Sequence, residues 1–81
     1  MQNKWEQDSG KLVKNFRFQN FKEALKFINK VGEIAESMNH HPKIINIYNT
    51  VWLELWTHDQ NTISDLDFQL ADKIDHLTNE S

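Results

Sequence analysis

In KLVKNFRF, residues 11 to 18, Leu12, Phe16 and Phe18 fall at even positions. A period of two sends alternate side chains to opposite faces, so this segment predicts a half-buried strand, with Lys14 interrupting its apolar series. Residues 4 to 7 read as a short strand ahead of it, closed by the turn signal Asp8-Ser9-Gly10. From Asn20 the period lengthens: Phe21, Ala24, Leu25, Ile28, Val31, Ala35 and Met38 recur at steps of three and four. That spacing makes one apolar stripe along a helix over residues 21 to 40. Asn20 suits its N-cap and Glu23 completes a capping-box pattern. Pro42 is expected to end it, because the residue before a proline avoids the α region.

Two more strands follow, KIINIY and VWLELW, separated by Asn49-Thr50 as a tight hairpin turn. In the second, Val51, Leu53, Leu55 and Thr57 point one way, and Trp52, Glu54, Trp56 and His58 point the other. A last helix begins at Ser64, with Asp67 as its acidic partner three residues on and Leu70, Ala71, Ile74 and Leu77 as its apolar stripe. The order β-β-α-β-β-α predicts a two-layer α+β domain, a four-stranded antiparallel sheet with both helices on one face. Trp52 and Trp56 then lie on the face away from the helices, either as partly exposed aromatics on an open sheet or as a contact surface.

Composition narrows what such a domain does. Eighty-one residues make one domain, spanning 1–81, with a core so small that self-association would add useful burial. Without cysteine there is neither a disulfide framework nor a thiolate metal site. A net charge of −3 argues against a nucleic-acid-binding surface. No apolar run is long enough to span a membrane, and the N-terminus lacks the apolar core of a signal peptide, so a cytoplasmic protein is expected.

The chemistry concentrates in ESMNHHPKIINIYNTVWLELWTH, residues 36 to 58, which holds three of the four histidines. Helical spacing makes Glu36 and His40 neighbours, and His40 also approaches the negative carbonyl end of the helix, an environment suited to a proton donor. His41 precedes Pro42, so its backbone is extended and its ring leaves in another direction. His58 would join them if the hairpin returns the chain to this point. An inward Asp67 at the start of the last helix could fix a histidine tautomer. A solvated helix cap, a three-histidine metal site at His40, His41 and His58, and a proton-transfer site all remain open on these residues alone.

Glu36, His40-His41-Pro42, Tyr48, His58 and Asp67 are separated by three, five, nine and eight residues. In that spacing, and in the flanking NFKEAL, NIYN, WTH and ISDLD, the sequence resembles the pterin-4a-carbinolamine dehydratases over residues 5 to 76. The resemblance implies a hydro-lyase that removes water from a 4a-hydroxytetrahydropterin, giving the quinonoid dihydropterin and recycling the pterin of aromatic amino acid hydroxylases. It implies no metal and no organic cofactor, the pterin being the substrate, and assembly as a homodimer or homotetramer. His40, His41 and His58 would form the catalytic set, with His40 and His58 moving protons and His41 also orienting the pterin. Glu36 and Tyr48 would join His41 in binding substrate, with Asp67 and Pro42 in support. A functional link to a hydroxylase is implied; nucleic acid and membrane are not. The same fold supports a second role in the family, as a non-catalytic dimerisation or coactivator protein, and a third in another pterin pathway.

Family members usually carry a further helix ahead of the Trp5 segment, which this chain is expected to lack. They often have tryptophan at the position of Ile44, so this pocket wall is expected to differ. They commonly have glycine at the position of Thr62. A β-branched residue there predicts a loop over 59 to 63 that avoids a left-handed turn at that position.

Overall fold

The computed structural model describes residues 4–78. Its elements follow the expected order: β1 (Glu6–Asp8), β2 (Lys11–Arg17), α1 (Phe21–Met38), β3 (Lys43–Ile47), β4 (Thr50–Leu55) and α2 (Asp65–Thr78). The four strands form one antiparallel sheet in the order β1-β2-β4-β3. Ser9 and Gly10 both have positive φ, 56° and 79°, between the paired residues Asp8 and Lys11. That is the backbone of a type I′ hairpin, whose twist matches the strands it joins, and glycine makes the second position cheap. The first strand therefore lies slightly later than residues 4 to 7.

The register of β2 on β4 sets Leu12 opposite Leu55, Lys14 opposite Leu53 and Phe16 opposite Val51. These residues share the face covered by both helices. Leu12, Phe16, Val51, Leu53 and Leu55 are buried there against Ala24, Phe27, Val31 and Ala35 of α1 and Leu70, Ala71 and Ile74 of α2. The inward set expected for β4 is the buried one. On α1 the stripe is rotated from the expected one: Phe21 and Leu25 are partly exposed, while Phe27 is buried. Phe27 packs between Phe16 and Phe18, with ring centroids 4.7 and 4.9 Å away. The β2 aromatics thus choose which side of the helix faces in.

Lys14 also points inward. Its ammonium group is drawn to Asp75 of α2 at 2.8 Å, and the Trp5 indole donates to the same carboxylate oxygen at 3.0 Å. The interruption in the strand pattern is thus an ion pair between sheet and helix.

The β3–β4 hairpin turns at Tyr48-Asn49, since Ile47 pairs with Thr50, one residue earlier than Asn49-Thr50. Tyr48 holds a left-handed φ of 52°. Asn46 donates its amide to the Tyr48 and Thr50 carbonyls, and Asn49 and Phe18 exchange two hydrogen bonds that tie the turn to the end of β2.

On the sheet face away from the helices, Trp52 and Trp56 are half-buried and engaged. The Trp52 indole donates to Glu54 at 2.7 Å, and Lys11 sits 4.6 Å from the Trp56 ring centre. The Trp52 hydrogen bond, with Lys43 and Lys11 nearby, holds the Glu54 carboxyl below its ordinary pKa against the opposing effect of partial burial. A carboxylate whose folded value is lowered contributes stability above its unfolded pKa and loses it as pH falls through the folded value. Urea unfolding of the wild type and of Trp52→Phe across pH 2 to 7 should therefore differ by a pH-dependent component of about 1 kcal/mol. That component should be complete at pH 7 and vanish in acid; a difference constant across the range would refute the linkage.

Candidate active site

The end of α1 builds one half of the site. Asn39 adopts a left-handed conformation, φ 52° and ψ 41°, which stops the helix at Met38, before Pro42 can act. Its N–H donates to the Glu36 carbonyl, and the His40 N–H reaches back to the Ala35 carbonyl at 3.0 Å. This pair of bonds is a Schellman motif, and Asn tolerates the left-handed position better than most residues. The reversal carries His40 off the helix surface, so the expected Glu36–His40 pairing is not formed. Glu36 instead meets His41, Oε1 to Nε2 at 2.9 Å, on an exposed surface.

His40 turns inward, 9% exposed, and its Nε2 lies 2.6 Å from Oδ1 of Asp67. Asp67 is fully buried at the start of α2, and its Oδ2 accepts from the Thr57 hydroxyl and the Ser64 N–H, both at 2.9 Å. The Asp67 half of the anticipated capping box is therefore present. Its other half is not, since the Ser64 hydroxyl contacts the Thr57 hydroxyl.

Donor counting fixes the protons. An ionised carboxylate only accepts, so in neutral His40 the proton sits on Nε2. Thr57 has one hydroxyl proton, spent on Asp67, so Ser64 must donate to Thr57. Among the described residues no buried side-chain nitrogen or oxygen lacks a partner. Nε2 is the ring nitrogen of His40 committed to Asp67, and Nδ1 is the one left uncommitted by that pair.

Past β4, the alternation that turns Thr57 inward turns His58 outward. His58 is exposed, with its ring 4.7 Å from that of Trp56. It sits in the loop between Thr57 and Thr62, closed by a bridge in which the Thr57 N–H donates to the Thr62 carbonyl at 2.8 Å. The left-handed residue of that loop is Asn61, φ 55°, leaving Thr62 free of the conformation its side chain disfavours. Ile44 is partly exposed on the edge strand β3.

The structure thus joins His40 to Asp67 and His41 to Glu36 at one helix end, next to Pro42. His58 is linked to them through its neighbour Thr57. Tyr48 is not brought to this point: six residue steps along β3 from Pro42 correspond to about 20 Å. Thr57 and Ser64 are site residues that periodicity could not single out; their only sequence signal is a hydroxyl on an otherwise apolar face and at a helix N-cap. Among the described residues no group of three or more His, Cys, Asp or Glu side chains is placed to hold a metal ion.

The family model described as pterin 4 alpha carbinolamine dehydratase matches residues 1–77. The chain belongs to that family. It is 48% identical over 73 residues to a protein of Synechococcus sp. (strain WH7803), covering 90% of this chain and 78% of the relative. It is 51% identical over 73 residues to one of Sulfurisphaera tokodaii, again covering 90% and 78%. Both relatives are provisionally named pterin-4-alpha-carbinolamine dehydratases. Among solved structures, the transcriptional coactivator/pterin dehydratase of Brucella melitensis superposes with a TM-score of 0.82 at 30% identity, over 90% of this chain and 78% of that one. A pterin dehydratase-like RuBisCO assembly factor of the alpha-carboxysome gives 0.78 at 18% identity, over 100% and 94%, a likeness of fold alone. Among the described residues no helix is long and apolar enough to cross a membrane.

Removing Asp67 would strand His40 Nε2, the Thr57 hydroxyl and the Ser64 N–H without an acceptor. Asp67→Ala should therefore cost about 3–5 kcal/mol in urea unfolding. Glu36→Ala, which breaks only the exposed pair with His41, should stay within about 0.5 kcal/mol of wild type. Equal effects of the two would contradict this division.

Proposed function

We propose that the protein dehydrates 4a-hydroxytetrahydropterins to quinonoid dihydropterins. The observation that carries the reading is the buried Asp67–His40 pair, 2.6 Å long, within a chain of the carbinolamine dehydratase family. In the substrate, C4a bears a hydroxyl beside N5–H. The N5 lone pair forms the C4a=N5 bond as the C–O bond breaks, and the departing hydroxyl takes up a proton to leave as water. A base then accepts the N5 proton. One group must give a proton and another take one, and water balances the equation.

His40 suits the first task. Asp67 holds Nε2–H and stabilises the imidazolium, leaving Nδ1 to exchange protons with the pterin. His58 is assigned the second task, with His41 and Glu36 orienting the ring from the exposed side of the helix end. Proton transfer lowers the barrier to hydroxide departure directly, so the step requires no metal and no organic cofactor. Tyr48 has no part in a site built from one chain. Recycling of a hydroxylase cofactor is the use this chemistry suggests.

A second reading, a non-catalytic interaction protein on the same fold, is favoured by Ile45, Ile47 and Tyr48, which are exposed on and just beyond the edge strand β3. It also agrees with the coactivator named in the Brucella structure.

Stopped-flow absorbance of 4a-hydroxytetrahydropterin decay separates the two. The wild type should accelerate dehydration over buffer. His40→Gln keeps an N–H donor for Asp67 but cannot exchange a proton near neutral pH. It and His58→Gln should each lose roughly 10²–10⁴-fold of the catalytic step. A wild type no faster than buffer would remove the enzymatic reading.

A further inference from the structure

We propose that Thr57 is a positioning residue whose hydroxyl, acting through Asp67, sets the tautomer and orientation of His40, and whose backbone holds His58 in the same frame. Its side chain is nearly buried and donates to Asp67 Oδ2 at 2.9 Å, on the carboxylate edge opposite the one that receives His40. Its carbonyl accepts from the N–H groups of Asn61 at 2.7 Å and Gln60 at 3.1 Å, and its N–H donates to Thr62. These bonds close the loop that carries His58. Thr57 is therefore the junction at which the support of one histidine meets the support of the other.

Hydrogen-bond polarity runs one way through this junction. Ser64 donates to Thr57, Thr57 to Oδ2 of Asp67, and His40 Nε2–H to Oδ1. Two donors on Oδ2, from Thr57 and the Ser64 backbone, fix the carboxylate plane, and Oδ1 in turn fixes the imidazole ring. Without the Thr57 hydroxyl the carboxylate keeps one anchor on that oxygen. It can then rotate, and the preference of His40 for a proton on Nε2 weakens. Valine matches threonine in shape but lacks the donor, so it isolates this effect.

The test has two arms on Thr57→Val, Thr57→Ser and Ser64→Ala, each checked for folding by circular dichroism. Nitrogen-15 NMR of the imidazoles should show neutral wild-type His40 with Nε2 protonated, Nδ1 bare, and the Nε2 proton in slow exchange with water. Thr57→Val should give mixed tautomers and a rapidly exchanging proton. Thr57→Ser should restore the wild-type pattern, and Ser64→Ala should shift it partway. The kinetic arm rests on the dehydratase reading above: kcat should fall about tenfold in Thr57→Val with KM unchanged, and Thr57→Ser should recover it. A folded Thr57→Val with the wild-type imidazole pattern overturns the proposal, as does a Thr57→Ser variant as impaired as valine. Should Thr57→Val not fold, an unshifted pattern in Ser64→Ala overturns it. A wild type that does not accelerate dehydration would sink the dehydratase reading, and the imidazole pattern would still decide the role of Thr57.

Discussion

The arrangement of this molecule turns on one buried anion. Asp67 is out of contact with solvent, and an unpaired carboxylate there would cost several kcal/mol. It is tolerable because three donors converge on it from three parts of the chain: the turn after α1, the extension of β4 and the residue before α2. The charge that holds the His40 ring is also the fastener that joins the helix layer to the end of the sheet. The orientation of one imidazole and the architecture draw here on the same interaction.

That arrangement sorts the two adjacent histidines. The left-handed Asn39 reverses the chain so that His40 enters the protein and His41 stays outside with Glu36. One histidine gains a fixed ring and a defined proton position. The other stays on the surface, with its ring against the Glu36 carboxylate. The sequence pair His-His is chemically uniform, and the backbone turn ahead of it makes the two unequal.

Much of this was legible beforehand, for reasons that differ by element. Strand β4 could be read because alternation is strict and its inward residues are aliphatic. The order of elements and the spaced motif from Glu36 to Asp67 were equally plain. The end of α1 is not legible, because proline is a visible helix breaker, whereas Asn39 acts through a backbone conformation that no periodicity announces. The shift moved Glu36 from His40 to His41. Phe27 is not legible as a core residue because the apolar residues of α1 cover more than one stripe, and contact with Phe16 and Phe18 decides which faces in. Thr57 was hidden because its inward direction was evident while its partner, ten residues on, was not.

Lys14 adds a consequence of a different kind. Strand pairing in a sheet can slip, and a slip of one residue exchanges the two faces of a strand. In β2 such an error would turn the lysine outward, separate it from Asp75 on α2 and present Val13 or Asn15 to that carboxylate instead. Here the correct alignment is also the one that neutralises a charge against the helix layer. A slipped β2 would thus lose this ion pair in addition to the burial of Leu12 and Phe16.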